Sequence, residues 1–284
     1  MLSISKRTCK SKCRSFGVLS WLVLAVISTT AYSAFELDCT GPRATGWGGG
    51  GAAVTGDGWE GYRNPALIAD AQGGMAGSWS QQFGLPELSR EAVAAGLRFH
   101  GGSFAVLGGT FGSDLYRETQ FGLAAARRLH TKLAVGMEIG GRWLDIERYS
   151  AAHAMCITVG VLLEPMRGLA AGIVWRNLNE PQLTGYVDRL PSSLTFGVAG
   201  TLTRDAILTA DIIQEKRFPA EVRVGAEARV FSALKLRVGM RAEPVRPAAG
   251  FEIQWQRWRF HYGGDLHPDL GASHEMGLEF MVGR

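Results

Sequence analysis

The chain has little cysteine and no long apolar run. Two of its four cysteines, Cys9 and Cys13, lie close to the start, which leaves Cys39 and Cys156 in the remaining sequence. The longest apolar stretch, residues 18–28, has 11 residues and is too short to cross a bilayer as a helix. The glycine-rich run before residue 52 lacks the Gly-Lys-Ser/Thr ending of a phosphate loop, which argues against nucleotide binding.

Residues 1–33 have the composition of a secretory signal peptide. Five basic residues and no acidic residue precede the apolar stretch, and Ala31-Tyr32-Ser33 satisfies the small-x-small rule for cleavage before Ala34. Removal of this leader leaves 25 Lys and Arg against 26 Asp and Glu, a net charge of −1. The basic isoelectric point therefore belongs to the leader, and nucleic-acid binding is not expected. The exported chain enters an oxidising compartment, where Cys39 and Cys156 either form a disulfide or remain two free, buried thiols.

A period of two runs from about residue 74 to the last residue. In residues 222–230 the even positions are apolar, whereas Arg223, Glu227 and Arg229 occupy odd positions. Residues 234–241 repeat this alternation. Such a period predicts β-strands with one apolar face and one polar face. A soluble β-sandwich and a membrane barrel both alternate in this way, and they differ in which face meets the solvent.

The strand count favours a transmembrane antiparallel β-barrel, all-β, with about fourteen strands in residues 74–284. Bacterial outer-membrane barrels made from a single chain have an even number of strands, with short turns at one end and longer loops at the other. The breaks after even-numbered strands are short and those after odd-numbered strands are mostly longer. The predicted strands are 75–84, 91–100, 103–112, 117–128, 132–144, 153–163, 169–176, 193–202, 206–214, 221–230, 234–242, 249–255, 258–266 and 274–282.

Four tryptophans favour the barrel over the sandwich. Parity places Trp255 and Trp258 on the apolar face at the end with short turns, and Trp143 and Trp175 on the same face near the other end. Aromatic residues at both rims of an apolar band are typical of the interfacial girdles of membrane barrels. We therefore expect an outer-membrane protein that contacts the lipid bilayer, with both termini in the periplasm.

Parity also places charges of both signs on the polar face, which would line the lumen. One interpretation is a cross-strand network that fixes a plug to the wall. The other is a positive path for an anionic head group. The lumen charges singled out are Arg98, Glu138, Arg176, Arg223, Glu227, Arg229, Lys235 and Arg237.

Residues 34–73 differ from the repeating part and predict a hatch inside the lumen. Asn64 can cap a short helical turn that begins at Pro65, and the many glycines allow backbone to pack closely inside a wall. A flexible glycine linker is the alternative interpretation. The motif residues in this segment are Arg43, Ala44, Gly46, Gly48, Gly49, Asp57, Asn64, Pro65 and Ala66.

These motif residues resemble the hatch signature of FadL-type outer-membrane transporters, and more closely that of PorV/PorQ-type proteins. Trp47 replaces the usual Met and Leu67 the usual Gly. The resemblance implies a plugged barrel in which Arg43, Gly46, Gly48, Gly49, Asp57, Asn64 and Pro65 form the hatch and the ligand path. We expect Arg43 to lie against Glu138, Glu227 or Glu252.

Three functions are compatible with this sequence. The first is passive transport of a small hydrophobic or amphipathic molecule through the plugged lumen, as the FadL-type resemblance implies. The second is a scaffold that holds a secreted protein partner, as the PorV/PorQ-type resemblance implies. The third, an enzyme or metal site at the rim, would need Asp265, His267, Asp269 and His274, but a serine or cysteine nucleophile with a paired base is not evident. We expect neither catalysis nor a cofactor or metal.

Overall fold

The computed structural model describes residues 34–35, 41–71, 73–185, 189–216 and 218–282. The predicted leader, residues 1–33, lies outside the described residues, and so does Cys39. No helix within these ranges is long and apolar enough to cross a membrane.

Fourteen antiparallel strands form a closed barrel, in which each strand pairs with its neighbours in the chain and β1 pairs with β14. The predicted all-β fold with fourteen strands is confirmed. The largest differences in where strands start are at β12 and β14, which start at residues 246 and 271 where 249 and 274 were predicted, because ladder pairs such as Arg241 with Arg246 and His267 with Gly271 extend them into the expected loops. The strands are β1 Gly74–Gln81, β2 Ser89–Phe99, β3 Gly102–Gly112, β4 Tyr116–His130, β5 Leu133–Ile146, β6 Ala152–Met166, β7 Leu169–Arg176, β8 Ser193–Thr203, β9 Ala206–Glu215, β10 Glu221–Phe231, β11 Leu234–Arg241, β12 Arg246–Trp255, β13 Trp258–His267 and β14 Gly271–Met281.

The two ends of the barrel differ in the length of their connections. Connections after even-numbered strands, such as 204–205 and 232–233, have two residues each. Connections after odd-numbered strands are longer, and the longest is 177–192. We call the first the turn end and the second the loop end. β1 starts and β14 finishes at the turn end, so both ends of the wall lie there.

The outer surface of the wall is apolar along the strands. Val224, Leu236 and Val238 are 39%, 46% and 60% exposed, whereas Glu227 and Arg237 on the opposite face are buried. Trp143, Trp175, Trp255 and Trp258 are exposed on this outer face, at the two rims where parity predicted them. An apolar outer band with aromatic rims is the arrangement that a lipid-facing wall requires, and it is the reverse of a soluble sandwich.

Residues 41–71 lie inside this wall, and we call them the lumen segment. It contains α1 (Pro42–Thr45), α2 (Glu60–Arg63) and a 3₁₀ helix (Pro65–Asp70). α1 packs against β12, β13 and β14, whereas the 3₁₀ helix packs against β2 to β6. Trp47, Trp59 and Leu67 of the segment are fully buried in a cluster with small wall residues such as Ala94 and Ala134. The segment therefore fills the cross-section that wall side chains leave open.

A second apolar cluster lies at the loop end. Leu183 and Leu190 of the connection 177–192 fold over the lumen and pack with Leu144, Ala154 and Cys156. Ala34 and Phe35 pack against this cluster, at the end of the barrel opposite to Gly74. Both ends of the wall lie at the turn end, whereas the residues that would start the mature chain lie at the loop end. The expectation that both termini are periplasmic stays a prediction.

Cys156 is buried in this second cluster, and among the described residues it has no disulfide partner. Because Cys39 lies outside the described residues, the pairing of Cys39 with Cys156 stays a prediction. Intact mass with and without reduction tests it directly.

Candidate functional site

A network of buried ion pairs joins the lumen segment to the wall. The Arg43 guanidinium donates from Nε and Nη2 to the two carboxylate oxygens of Glu227, both at 3.0 Å. Its Nη1 donates to the carbonyl of Thr55 at 2.9 Å. Of the three partners expected for Arg43, the structure selects Glu227. Bidentate pairing with a carboxylate fixes both the position and the orientation of α1 on β10.

A second arginine in the segment completes this network. Asp57 accepts hydrogen bonds from Arg63 Nη1 at 2.9 Å and Nη2 at 2.7 Å, and from Arg43 Nη1 at 3.2 Å. Burial opposes the charge of Asp57, but Arg63 and Arg43 outweigh it and hold the pKa of Asp57 well below its usual range. Burial also opposes the charge of Arg43, and Glu227 with Asp57 outweighs it, which raises the Arg43 pKa. Arg43 and Asp57 therefore both carry their charges in the folded barrel, and they pair with each other within the segment.

On the wall, carboxylates and cations alternate from strand to strand. Glu227 on β10 accepts from Arg237 Nε on β11 at 2.6 Å, and Arg237 in turn contacts Glu252 on β12. Lys235 lies 2.9 Å from Glu252. Arg43 enters this row as an additional cation between Glu227 and Asp57. Each of these charges has a partner of opposite sign, as the predicted cross-strand network requires.

The row continues on β13 and β14, next to α2. His261 is fully buried, with Nε2 3.2 Å from Glu279 and Nδ1 3.7 Å from Glu252. Trp59 of the segment packs edge-on against the His261 ring, with ring centroids 5.2 Å apart. Arg259 on the same strand donates to the carbonyl of Gly56 at 2.6 Å. The wall therefore contacts the segment on both sides of Asp57.

The predicted Asn64-Pro65 turn is confirmed as the N-terminus of the 3₁₀ helix. Asn64 Oδ1 accepts the amide hydrogen of Ala66 at 3.0 Å, and Pro65 occupies the first helical position. Asn64 Nδ2 donates to the carbonyls of Ala52 at 2.8 Å and of Val161 on β6 at 3.2 Å. One buried amide thus caps the helix, joins two parts of the segment and ties them to the wall.

The lumen segment and the wall approach each other closely at two glycines, Gly48 of the segment and Gly225 of the wall. Gly48 has a φ of 75°, and a Cβ there would lie 2.7 Å from the carbonyl carbon of Met240. Gly225 on β10 faces Trp47, whose Cβ would lie 2.6 Å from any Cβ added to this glycine. Larger residues at either position would push the segment away from the wall.

The remaining predicted residues have diverse surroundings. Gly46 packs against Gly250, and the carbonyl of Gly49 accepts from Arg223 at 2.8 Å. Arg176 donates to the carbonyl of Tyr62 at 2.6 Å, and Glu138 is buried next to Arg142 at 3.4 Å. Two predicted lumen cations lie at the turn end instead: Arg229 is half exposed and 3.7 Å from Asp205, and Arg98 is exposed. Arg98 and Arg229 are exposed because β2 and β10 extend beyond the lumen segment at the turn end.

The four rim residues considered for catalysis take part in local structure. His267 Nδ1 accepts the amide hydrogens of Asp269 at 3.1 Å and Leu270 at 3.2 Å, which closes the turn between β13 and β14. His274 Nδ1 lies 2.7 Å from the Tyr262 hydroxyl. Asp265 lies 3.8 Å from Arg246.

Sequence analysis missed several residues that hold the segment in place. Arg63 was not singled out, although it provides two of the three hydrogen bonds from guanidinium groups to Asp57. Tyr62 was also missed: its hydroxyl donates to the wall carbonyls of Val93 and Gly108. The six-residue spacing of Asp57 and Arg63 has no regular periodicity, so only the folded segment brings these side chains together.

Two cavities lie on either side of the lumen segment. The cavity at the loop end is about 100 Å³ and mostly polar, with Arg90, Arg241, Arg246 and Asp265 in its lining. The cavity at the turn end is about 480 Å³ and has a mixed lining, in which apolar side chains such as Val54, Met166 and Ala170 lie beside Lys132, Glu164 and Arg167. Ala53, Val54 and Thr55 of the segment form one side of the larger cavity.

A buried carboxyl in α2 predicts a pH-dependent lumen segment. Glu60 accepts amide hydrogens from Gly56 and, at 3.3 Å, Asp57. Burial and the nearby Asp57 charge raise the Glu60 pKa to about 8. A raised folded-state pKa means that its stabilising contribution is complete below the ordinary value of 4.5 and is lost as the pH rises through about 8.

We therefore expect the thermal midpoint of the wild-type barrel to fall between pH 6 and pH 9, and to fall less in Glu60→Gln. Buried Trp47 and Trp59 report on the segment by fluorescence. Glu147→Gln is the control, since the Glu147 side chain is half exposed at the loop end. An equal change of the thermal midpoint with pH in wild type and in Glu60→Gln would contradict this role of Glu60.

Comparison with known proteins places the fold. No family model matches the chain, and no curated protein matches it. Among solved structures, the chain is similar to the CymD monoaromatic hydrocarbon channel, with a TM-score of 0.66, 12% identity, and coverage of 86% of this chain and 98% of that chain. It is similar to the toluene transporter TbuX of Ralstonia pickettii, with a TM-score of 0.64, 12% identity, and coverage of 88% and 100%.

A homologue of FadL from Pseudomonas aeruginosa is also similar, with a TM-score of 0.54, 10% identity, and coverage of 85% and 96%. The chain therefore has the closed fourteen-stranded barrel fold of FadL-like proteins. The finer likeness to PorV/PorQ-type proteins is not shown by these comparisons.

Proposed function

We propose that this chain is an outer-membrane channel for small hydrophobic molecules, and that the lumen segment is its hatch. The observation that carries the proposal is the seated segment itself, which separates a small cavity at the loop end from a larger cavity at the turn end. Movement of the segment would connect them. The apolar outer face of the closed wall supports a location in the lipid bilayer.

The larger cavity supports the choice of substrate class. Its volume of about 480 Å³ lies within the range of small-molecule sites, and the apolar side chains of Val54, Ala170 and Ala199 would contact a compact hydrocarbon there. Structures with the same fold include a monoaromatic hydrocarbon channel and a toluene transporter. Monoaromatic hydrocarbons are therefore the first compounds to test, followed by amphipathic molecules of similar size.

The ion pairs suggest how the hatch is held. Arg43 and Arg237 were expected to meet the polar end of a substrate, but both are bound to carboxylates. We propose that Arg43, Asp57 and Asn64 keep the hatch seated, while Gly46, Gly48 and Gly49 permit its close approach to the wall. Passage is then energy-independent and limited by how often the segment moves. The scaffold alternative has no supporting observation in the structure.

We also propose that the turn end faces the periplasm. Short turns lie on the periplasmic side of bacterial barrels, which supports this orientation. In a background without Cys39 and Cys156, Ser150→Cys at the loop end should react with an impermeant thiol reagent on whole cells. Asp205→Cys at the turn end should react only after lysis, and labelling in the opposite sense would reverse the orientation.

Occlusion of the larger cavity tests the proposed function. Ala170 lines this cavity, whereas its neighbour Ala171 lies on the outer face of β7, since adjacent strand residues point to opposite faces. We expect Ala170→Trp to lower uptake of labelled toluene at least about tenfold, a barrier of about 1.4 kcal/mol. Ala171→Trp is the matched control and should transport normally.

Uptake is measured in vesicles with lipopolysaccharide in the outer leaflet, because simple bilayers pass toluene without a channel. Equal uptake with both variants would remove the larger cavity from the path. No difference between vesicles with and without the protein would reject the channel itself.

A further inference from the structure

Glu118 is a buried carboxylate at the loop end, and the ion pairs among the described residues include no cation for it. It is the third residue of β4 and is 8% exposed. Its Oε1 accepts the Tyr116 hydroxyl at 2.6 Å and the amide hydrogen of Phe35 at 2.9 Å. Burying an ionised carboxylate without an opposite charge costs several kcal/mol in order of magnitude. Arg90 lines the same small cavity as Glu118 and Phe35, with its guanidinium over the Phe111 ring at 5.0 Å. A positive charge in direct contact with Glu118 would offset the burial of its carboxylate.

The residues that would start the mature chain lie directly against this carboxylate. Phe35 is partly buried against the loop-end cluster and has a φ of 63°, which is rare for an aromatic residue. The hydrogen bond to Glu118 and the apolar contacts together hold that conformation. Covalent geometry places the nitrogen of Ala34 about 3 to 4 Å from the nitrogen of Phe35. The Ala34 nitrogen therefore lies within about 7 Å of Glu118 Oε1.

We propose that cleavage before Ala34 creates a cation beside this carboxylate and that Glu118 is the receptor for the new N-terminal ammonium. Hydrolysis adds water across the Ser33-Ala34 peptide bond, leaving a carboxylate on Ser33 of the released leader and an ammonium on Ala34. Before cleavage the Ala34 nitrogen belongs to a neutral peptide bond. The charge that Glu118 needs thus appears only when the leader is removed.

This pairing couples processing to assembly. The mature N-terminus docks beside the second apolar cluster, which includes Leu183 and Leu190. Recognition of an N-terminal amine by a fixed acceptor is a known mode of peptide binding, here within one chain. The inference is independent of what passes through the lumen.

Selective acylation of the N-terminal amine tests the proposal, because only the neutral amine reacts. The mature protein is labelled at pH 7 in detergent, and its rate is compared with that of a free peptide of residues 34–40. A paired ammonium holds its proton more tightly, and each unit of increase in pKa lowers the reactive fraction tenfold. We expect labelling at least about tenfold slower than in the peptide.

Glu118→Gln separates charge from burial. The variant keeps the shape of the side chain and should label several-fold faster than wild type, whereas Glu147→Gln at the same end should label like wild type. If Glu118→Gln does not fold, the pH profile of wild-type labelling replaces it, with a half-maximal rate at a higher pH than in the peptide. A mature N-terminus other than Ala34, or a wild-type profile equal to that of the peptide, would overturn the proposal.

Discussion

Glu227→Gln is expected to destabilise the folded barrel by about 3 to 5 kcal/mol, the usual cost of removing one partner from a buried ion pair. Glu227 accepts from Arg43 on the lumen segment and from Arg237 on β11. A neutral amide leaves two buried guanidinium groups with too few carboxylates. The segment should then leave its seat more often, so conductance to small polar solutes should rise together with the loss of stability.

Asp205→Asn is the matched control for this prediction. Asp205 also pairs with an arginine of β10, but the Arg229 and Asp205 side chains are 50% and 61% exposed. Exposed pairs contribute about 0 to 1 kcal/mol, so little change is expected. Urea-induced unfolding in lipid vesicles gives the stability, and planar-bilayer recording gives the conductance. A loss for Glu227→Gln as small as that for Asp205→Asn would show that the network does not hold the segment.

Val238→Arg is the second change with a large expected effect. Val238 lies in the middle of β11 and is 60% exposed on the outer face. An arginine at the bilayer midplane of a barrel costs about 2 to 4 kcal/mol, whereas near the interface it costs about 0 to 1. Leu202→Arg provides the comparison, because Leu202 is 65% exposed close to the turn end of β8.

The free-energy costs of the two arginine variants should therefore differ in vesicles. They should be similar in detergent micelles, which have no bilayer midplane. Unfolding in both media measures the difference. Equal costs in lipid would contradict the placement of Val238 at mid-membrane. Val238 tests the assignment of faces more directly than Lys235 does, since Lys235 is paired with Glu252 at 2.9 Å and its loss would also affect the network.

The strands were predictable because each is constrained locally by two environments. A strand whose faces meet lipid and lumen must alternate, so residues 222–230 alone indicate both the strand and its apolar face. The turns are equally local: two-residue connections such as 232–233 allow antiparallel neighbours and little else. Fourteen strands and their outward faces could therefore be assigned without any tertiary contact. The Asn64-Pro65 turn belongs with them, since its cap and its first helical residue are adjacent in sequence.

Charge pairing could not be predicted in the same way, because parity gives the face of a residue but not its depth or its partner. Parity placed Arg229 and Arg237 on one face, yet Arg237 is buried between Glu227 and Glu252 while Arg229 lies exposed at the turn end. Arg229 is exposed because β10 extends beyond the lumen segment at the turn end, whereas Arg237 lies at the depth of the segment. Depth in a barrel depends on register and on the plug, and both are properties of the whole fold.

The sequence by itself therefore determined the strands, their faces and the turns, since these depend on neighbours along the chain. Only the tertiary structure decided that Arg43 pairs with Glu227, that Arg63 closes the pair with Asp57, and that Phe35 lies against Glu118. These contacts join residues as many as 184 positions apart. They form because α1 packs on β12 to β14 and the closed wall then brings β10 within reach of Arg43.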